Sequence, residues 1–306
     1  MTLNGPSGTF SSARTIHDSR ATTMIKPSAF RDARKAWKRR RFQRSGMKPW
    51  TKGYVEYKLH EIARVLREGD FRADKLPAGY GFRIDERIVE YPWLFARLPA
   101  GPGALLDAGS ILNFDFLLDH PSLQKKQIHI CTLAPETDCF WQKGVSYLFD
   151  DLRRLPYRDG WFDWAVSIST LEHVGMDNTL LYTTDATKKE SQARDYLLAV
   201  AELNRVLKPG GTLYASVPFG RARTHGFLQI FDQIQIEEMV SAFAPSACSM
   251  EYFLYHPDGW RRSTASEACD ATFFNIHETK VYDADVAASA RAVCCFELMK
   301  PANVTR

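Results

Sequence analysis

Short apolar runs separated by helical patterns constrain this chain more than any other feature. From Ala104 onward they read ALLDAG, QIHICTL, VSYLF, FDWAVSIS and GTLYASV, each of strand length and apolar on both faces. Strands buried on both faces belong in a parallel sheet covered by helices, because a sheet with one wet face alternates instead. Between the last two runs Tyr196, Val200, Leu203 and Leu207 recur at helical spacing, and Pro209-Gly210-Gly211 stops that helix. The order predicts an α/β fold with a doubly wound, mostly parallel sheet. Segments near Ser249 to Tyr255 and Ala288 to Leu298 supply an antiparallel pair that closes it at seven strands.

Upstream of this pattern the chain changes character. Residues 1–50 hold twelve Lys/Arg against two Asp, and the remainder holds 28 against 34 Asp/Glu. The first part is thus strongly basic and the body acidic, which suits two different partners. Residues 1–27 are rich in Ser, Thr, Gly and Pro without apolar period and are expected to be a flexible leader. Ser28 to Arg44 has helix formers and a Ser cap, with Phe30, Trp37 and Phe42 among arginines, so a basic helix is expected. Contact with a polyanion through residues 31–48 is one reading of it, and packing on the body through the aromatics is the other. Val55, Leu59, Ile62 and Leu66 then mark an amphipathic helix over Thr51 to Arg67, ended by Gly69. Gly101-Pro102-Gly103 punctuates the start of the main unit. The expected division is a basic N-terminal segment (1–50), a helical extension (51–100) and the α/β domain (101–306).

Six cysteines, Cys131, Cys139, Cys248, Cys269, Cys294 and Cys295, show no paired spacing and no metal-ligand rhythm with histidine. They read as scattered, mostly buried thiols, and neither zinc nor a disulfide framework is expected. The chain has no apolar run of membrane-spanning length and no apolar segment near its start, so a cytoplasmic protein is expected.

In an open α/β sheet, ligands bind beyond the C-terminal strand ends where strand order reverses, so the residues after each run are the ones to inspect. The most informative are VSYLFDDLRRLPYRDGWFDWAVSISTLEHVG, from Val145 to Gly175, and LNRVLKPGGTLYASVP, from Leu203 to Pro218. Together they closely resemble the second half of the class I S-adenosylmethionine (SAM)-dependent methyltransferase domain of the type 11 kind. That resemblance implies a Rossmann-like methyltransferase fold with N-terminal helices, SAM as cofactor, and methyl transfer to an oxygen or nitrogen of an acceptor, a glycan or small metabolite.

The resemblance also implies roles for particular residues. Asp151 would accept from the adenine amino group and the Leu152 N–H would face a ring nitrogen, with Leu133 against the base. At the first junction, Asp107-Ala108-Gly109-Ser110-Ile111-Leu112-Asn113, a glycine turn entering a helix would bring N–H groups to the methionine carboxylate, with Asp107 near its ammonium and Gly109 and Ser110 in the turn. Ser169, at the end of the fourth strand, joins this cofactor set. Two positions depart from the family pattern. Ile111 and Asn113 stand where further glycines are usual, so the loop is expected to take a modified path. Thr132 stands where an acidic residue usually chelates the ribose hydroxyls, and Glu136 lies four residues further on.

For the chemistry, Glu172 and His173 follow the fourth strand at the cleft mouth, and His173 is of the type suited to take a proton from an acceptor. An E-x-x-E-H arrangement binds a divalent ion in some relatives, but Ser169 replaces its first Glu and no metal is expected. Phe219 to Gly226, with Arg221, Arg223 and His225, is a candidate acceptor loop. Trp141, Trp161, Trp164, Phe219 and Trp260 are candidate pocket walls or core residues. A nicotinamide-dependent oxidoreductase would need G-x-G-x-x-G after the first strand, which this loop lacks. The alternative of another class is a non-catalytic methyltransferase-like binding or scaffold module that has lost SAM binding.

Overall fold

The computed structural model describes residues 27–182 and 185–302. The leader expected over residues 1–27 lies almost entirely outside them. In chain order the strands are β1 (Gly103–Ala108), β2 (Lys126–Thr132), β3 (Ser146–Phe149), β4 (Phe162–Ile168), β5 (Leu207–Pro218), β6 (Arg223–Thr224), β7 (Gln229–Ile230), β8 (Ala247–His256), β9 (Gly259–Ser263) and β10 (Ala292–Met299). The helices are α1 (Pro27–Arg44), α2 (Tyr54–Glu68), α3 (Arg87–Phe95), α4 (Asp115–Leu118), α5 (Thr179–Tyr182), α6 (Tyr196–Val206), α7 (Gln233–Phe243), α8 (Ala265–Ala268) and α9 (Ile276–Thr279).

The main sheet runs β3-β2-β1-β4-β5-β10-β8-β9, with β6 and β7 forming a separate small ribbon. β1 to β5 pair in parallel, and β10 lies antiparallel to both β5 and β8. Strand order reverses at β1, whose neighbours are β2 and β4. The cleft beyond the ends of β1, β2 and β4 is therefore the expected place for a ligand.

The period of two along each strand sorts its side chains into two cores. Leu105, Val166, Tyr214 and Cys295 face α2 and α3, where Ile62, Val65, Ile88 and Leu94 meet them. Leu106, Ala165, Leu213 and Cys294 face α6 and α7, where Val200, Leu203, Ile236 and Met239 meet them. Both faces are thereby dry, which is why these strands read as unbroken apolar runs. α2 and α3 share a core with the sheet, so residues 51–100 pack as part of the α/β body.

Three expectations need correction. The sheet has eight strands rather than seven, because the chain turns back at Gly259 and lays β9 along β8. A Cβ at Gly259 would meet the Tyr80 carbonyl oxygen at 2.4 Å, and Trp260 N–H donates to that oxygen at 2.7 Å. The 79–84 loop thus covers what would be an open sheet edge. β3 is not buried on both faces, since it forms the opposite edge. The cysteines divide evenly: Cys131, Cys294 and Cys295 are buried, and Cys139, Cys248 and Cys269 are exposed, all as free thiols.

α1 forms over the basic segment, and its aromatics divide between the body and the surface. Phe42 is fully buried against Tyr54 and Tyr57, whereas Phe30 and Trp37 are exposed. Gly53 permits this contact, since a Cβ there would lie 2.5 Å from the Lys38 carbonyl oxygen. Among the described residues no helix is long and apolar enough to cross a membrane.

Candidate active site

The turn after β1 is shaped by Asp107. Its carboxylate is fully buried and accepts from the N–H of Ile111 at 3.1 Å and of Leu112 at 2.8 Å. Burial nevertheless pushes this carboxyl up to about 7. The left-handed residues are Gly109 (φ 125°) and Ser110 (φ 63°), while Ile111 and Asn113 keep negative φ. Ile111 turns into the core, and Asn113 is tied to Tyr147 and to the Asp138 carbonyl. Only the short α4 follows, from Asp115, so no helix N-terminus stands at the turn. Two N–H groups expected to face an anion face Asp107 instead.

Gly109, Thr132, Leu133, Asp151, Leu152 and His173 line one open cleft of about 480 Å³. The ends of β2 and β3 are joined there by the Asp150 N–H, which donates to the Thr132 carbonyl at 3.1 Å. Leu133 is half-exposed over the opening. Asp151 is clasped by Arg153, whose Nε and Nη2 reach its oxygens at 3.0 and 2.6 Å. Arg153 also holds Glu190 at 2.7 Å and Asp195 at 2.6 Å. Although partial burial opposes it, the guanidinium keeps the Asp151 carboxyl below its ordinary range. Asp151 is thus a fixed, ionised acceptor at the cleft wall.

A second chamber, of about 810 Å³, opens on the far side of His173 and is lined by Glu86, Arg87, Ser169 and Glu172. Its apolar wall comes from Trp50, Phe227, Phe273 and Phe274. Trp50 is held over it by an indole N–H donated to the Ala288 carbonyl. Ser169 leaves β4 with a left-handed φ of 40°, a strained conformation for a residue other than glycine. Its hydroxyl donates to Glu90 Oε1 at 2.7 Å, and the Ser216 hydroxyl donates to the same oxygen. Arg87 meets the other oxygen of this fully buried Glu90 at 2.5 Å.

His173 lines both spaces. Its Nδ1 lies 2.7 Å from the Phe227 carbonyl oxygen, an acceptor only, so Nδ1 carries the hydrogen and Nε2 the lone pair. Burial pushes the imidazole down to about 4, so it is neutral at neutral pH. Glu172 is 2% exposed, burial pushes its carboxyl well up, and its Oε2 has no hydrogen-bond partner among the described residues.

The predicted residues therefore divide. Gly109, Thr132, Leu133, Asp151, Leu152 and His173 meet in the cleft, Ser169 and Glu172 belong to the chamber, and Asp107 and Ser110 line neither. Glu136 is also absent from the cleft lining, although its charge reaches Asp107. In the proposed acceptor loop Arg221 pairs with Asp270 at the surface, and the chamber takes the next residues, Phe227 and Leu228. None of Trp141, Trp161, Trp164, Phe219 and Trp260 lines it. Sequence reasoning missed Glu86, Arg87 and Glu90. The available signal was four charged residues set in the apolar stretch IDERIVEYPWLF, a pattern that buries charge. Among the described residues no three His, Cys, Asp or Glu side chains gather as a metal site.

The sequence profile of a methyltransferase domain matches residues 122–215. The match runs from just before β2 into β5 and leaves out β1 and its turn, the region where Ile111 and Asn113 depart from the pattern. No curated protein matches the chain significantly. Among solved structures, a SAM-dependent methyltransferase of Thermotoga maritima aligns with 79% of this chain and 99% of its own at 14% identity and a TM-score of 0.42. The cyclase SpnF aligns with 80% and 94% at 18% identity and a TM-score of 0.45. A Burkholderia thailandensis 1,6-didemethyltoxoflavin N1-methyltransferase, crystallised with S-adenosylhomocysteine, aligns with 65% and 72% at 16% identity and a TM-score of 0.38.

Proposed function

We propose, from the premise that this chain is a class I SAM-dependent methyltransferase by its matched domain and strand order, that it methylates an oxygen or nitrogen of an acceptor held beside His173. The observation that carries this reading is the position of His173, which lines both the cleft and the chamber. A methyl donor and an acceptor must meet at one such junction.

The cleft suits the adenosyl end of SAM. Asp151 is an ionised acceptor for the adenine amino group, Leu152 offers its N–H, Leu133 covers the base and Thr132 offers one hydroxyl to the ribose. Gly109 lines the cleft at the turn, its missing Cβ making room for Thr170. When bound, SAM supplies a methyl already activated on a sulfonium, so the protein's work is alignment, exclusion of water and proton handling. His173 presents the Nε2 lone pair for that purpose, and Glu172 stands 4.0 Å from it.

Calorimetric titration with S-adenosylhomocysteine, the demethylated cofactor, tests the reading. Saturable binding that is lost in Asp151→Ala is expected, and no binding at millimolar concentration overturns it. In that event the second reading, a binding or scaffold module, is favoured by Thr132 at the ribose position and by the engagement of Asp107 with its own turn.

The remaining features fit a cytoplasmic enzyme of small-molecule or glycan acceptors. Its basic segment (1–50) contacts a polyanion through residues 31–48, its helical extension (51–100) closes the chamber, and residues 101–306 carry the chemistry.

A further inference from the structure

Two side chains of the chamber are buried without the partners that buried carboxyls need. Glu172 is 2% exposed and Glu86 is 8% exposed, both line the chamber, and the Oε2 of each has no hydrogen-bond partner among the described residues. The Arg87 charge favours the ionised form of both, but burial outweighs it. Arg87 is matched by Glu90, and Lys58 by Asp85 at 2.7 Å. His173 is neutral and offers Glu172 only its lone pair. Two carboxyls are thus left over in the lining of a space that Trp50, Phe227, Phe273 and Phe274 also line.

We infer that the chamber takes a primary or secondary amine, whose N–H groups are received by Glu172 and Glu86 while its carbon skeleton lies on the aromatic wall. The use of that amine as methyl acceptor rests on the methyl-transfer reading; the amine site itself does not. Unmet carboxyl oxygens ask for hydrogen donors, and a cation brought beside them lets one of these buried acids ionise. A protonated amine meets both demands. A hydroxyl meets one oxygen and no charge, and a quaternary ammonium brings charge without a donor. Among the described residues no third His, Cys, Asp or Glu joins the two carboxyls as a metal site.

The same groups release the nitrogen lone pair. On entering, the ammonium displaces to solvent the proton that one of these carboxyls holds in the empty chamber; one N–H bond of the ammonium then breaks and the O–H bond on Glu172 or Glu86 forms again, which leaves a neutral amine beside a neutral carboxylic acid. Burial first, and then Asp85 and Glu90, push the Glu86 carboxyl up to about 8, and burial pushes Glu172 up as well. Carboxyls so placed hold a proton near neutral pH, where an ordinary Glu would return it.

The test uses the full chain and two matched probe pairs, 2-phenylethylamine with 2-phenylethanol and tryptamine with tryptophol, titrated by ligand-observed NMR with and without S-adenosylhomocysteine. Each amine is expected to bind at least tenfold more tightly than its alcohol, and to bind alongside S-adenosylhomocysteine. Glu172→Gln and Glu86→Gln are each expected to cut that preference below threefold while affinity for S-adenosylhomocysteine is kept. Either variant suffices if the other fails to fold. Equal binding of amine and alcohol, binding of neither at 10 mM, or a preference that survives in both variants overturns the inference. Displacement of the amine by S-adenosylhomocysteine also overturns it, because the carboxyls then belong to the cofactor's own ammonium. An amine preference without any S-adenosylhomocysteine binding keeps the amine site and removes methyl transfer.

Discussion

His173 Nδ1 lies 2.7 Å from the Phe227 carbonyl oxygen, a contact that fixes which ring nitrogen carries the hydrogen and leaves the lone pair on Nε2, 4.0 Å from a Glu172 oxygen. Burial lowers its pKa from the ordinary 6.5 to about 4. Above pH 6.5 both folded and unfolded chains hold it neutral. As pH falls from 6.5 to 4 the unfolded chain takes up the proton and the folded chain does not, so stability is lost across that window, by at most about 3 kcal/mol. Urea unfolding from pH 7.5 to 4 should show a steeper loss for the natural chain than for His173→Gln. Parallel curves would place the imidazole in a solvated setting.

Asp151 and its clasp invite a second measurement. Asp151→Ala should weaken S-adenosylhomocysteine binding by about tenfold or more, the worth of a hydrogen bond to a charged acceptor. Stability should fall little, because Arg153 keeps Glu190 and Asp195 and partly exposed pairs contribute only about 0–1 kcal/mol. A collapse of the melting temperature with affinity retained would make Asp151 a structural residue.

Gly109 is the position of the turn least tolerant of a side chain. An added Cβ would lie 2.1 Å from Thr170 Oγ1, at a φ of 125°. Gly109→Ala should cost about 1–3 kcal/mol in denaturant unfolding. Adding Thr170→Ala should recover only part of the steric cost, because the Cβ of residue 170 would still lie 2.7 Å from the added carbon, and should leave the backbone part. No recovery in the double variant would assign the cost to φ and that remaining Cβ contact.

Much of this was legible from residues alone. The strands were, because burial on both faces gives unbroken apolar runs, and so was the cleft wall from Thr132 to Leu152. β9 was not, because WRRS carries two arginines on an edge strand and looks like a loop. The Asp107 turn was misjudged because its acceptors are satisfied by Ile111 and Leu112, a local bond pattern that spacing does not reveal. The chamber wall was missed for a different reason. Trp50, Glu86, Phe227 and Phe274 come from four separate segments, and only the folded chain brings them together.

On α1, packing and charge occupy different faces and should separate experimentally. Arg34, Lys35, Arg40, Arg41 and Arg44 are exposed, whereas Phe42 is buried against Tyr54. Reversing the five charges to Glu should lower retention on heparin without moving the melting temperature by more than a few degrees. Phe42→Ala should instead cost about 3–5 kcal/mol and leave retention of the folded protein intact. Unchanged retention after charge reversal would remove the polyanion role.

Thr132 offers the sharpest test of the cofactor side, since it is 5% exposed, lines the cleft and has its carbonyl already bound to the Asp150 N–H. One hydroxyl there can meet one ribose hydroxyl, whereas a carboxylate can accept from both with charge-assisted bonds about twice as strong. If the ribose lies at this position, Thr132→Asp should tighten S-adenosylhomocysteine binding by up to about tenfold, equivalent to about 1.4 kcal/mol. Thr132→Val, which keeps the shape and removes the hydroxyl, should weaken it a few-fold. Calorimetry on the two variants gives opposite signs if a ribose is held there. A weaker Thr132→Asp together with an unchanged Thr132→Val would mean that no ribose meets this strand end, and the binding-module reading would then stand in place of the enzyme.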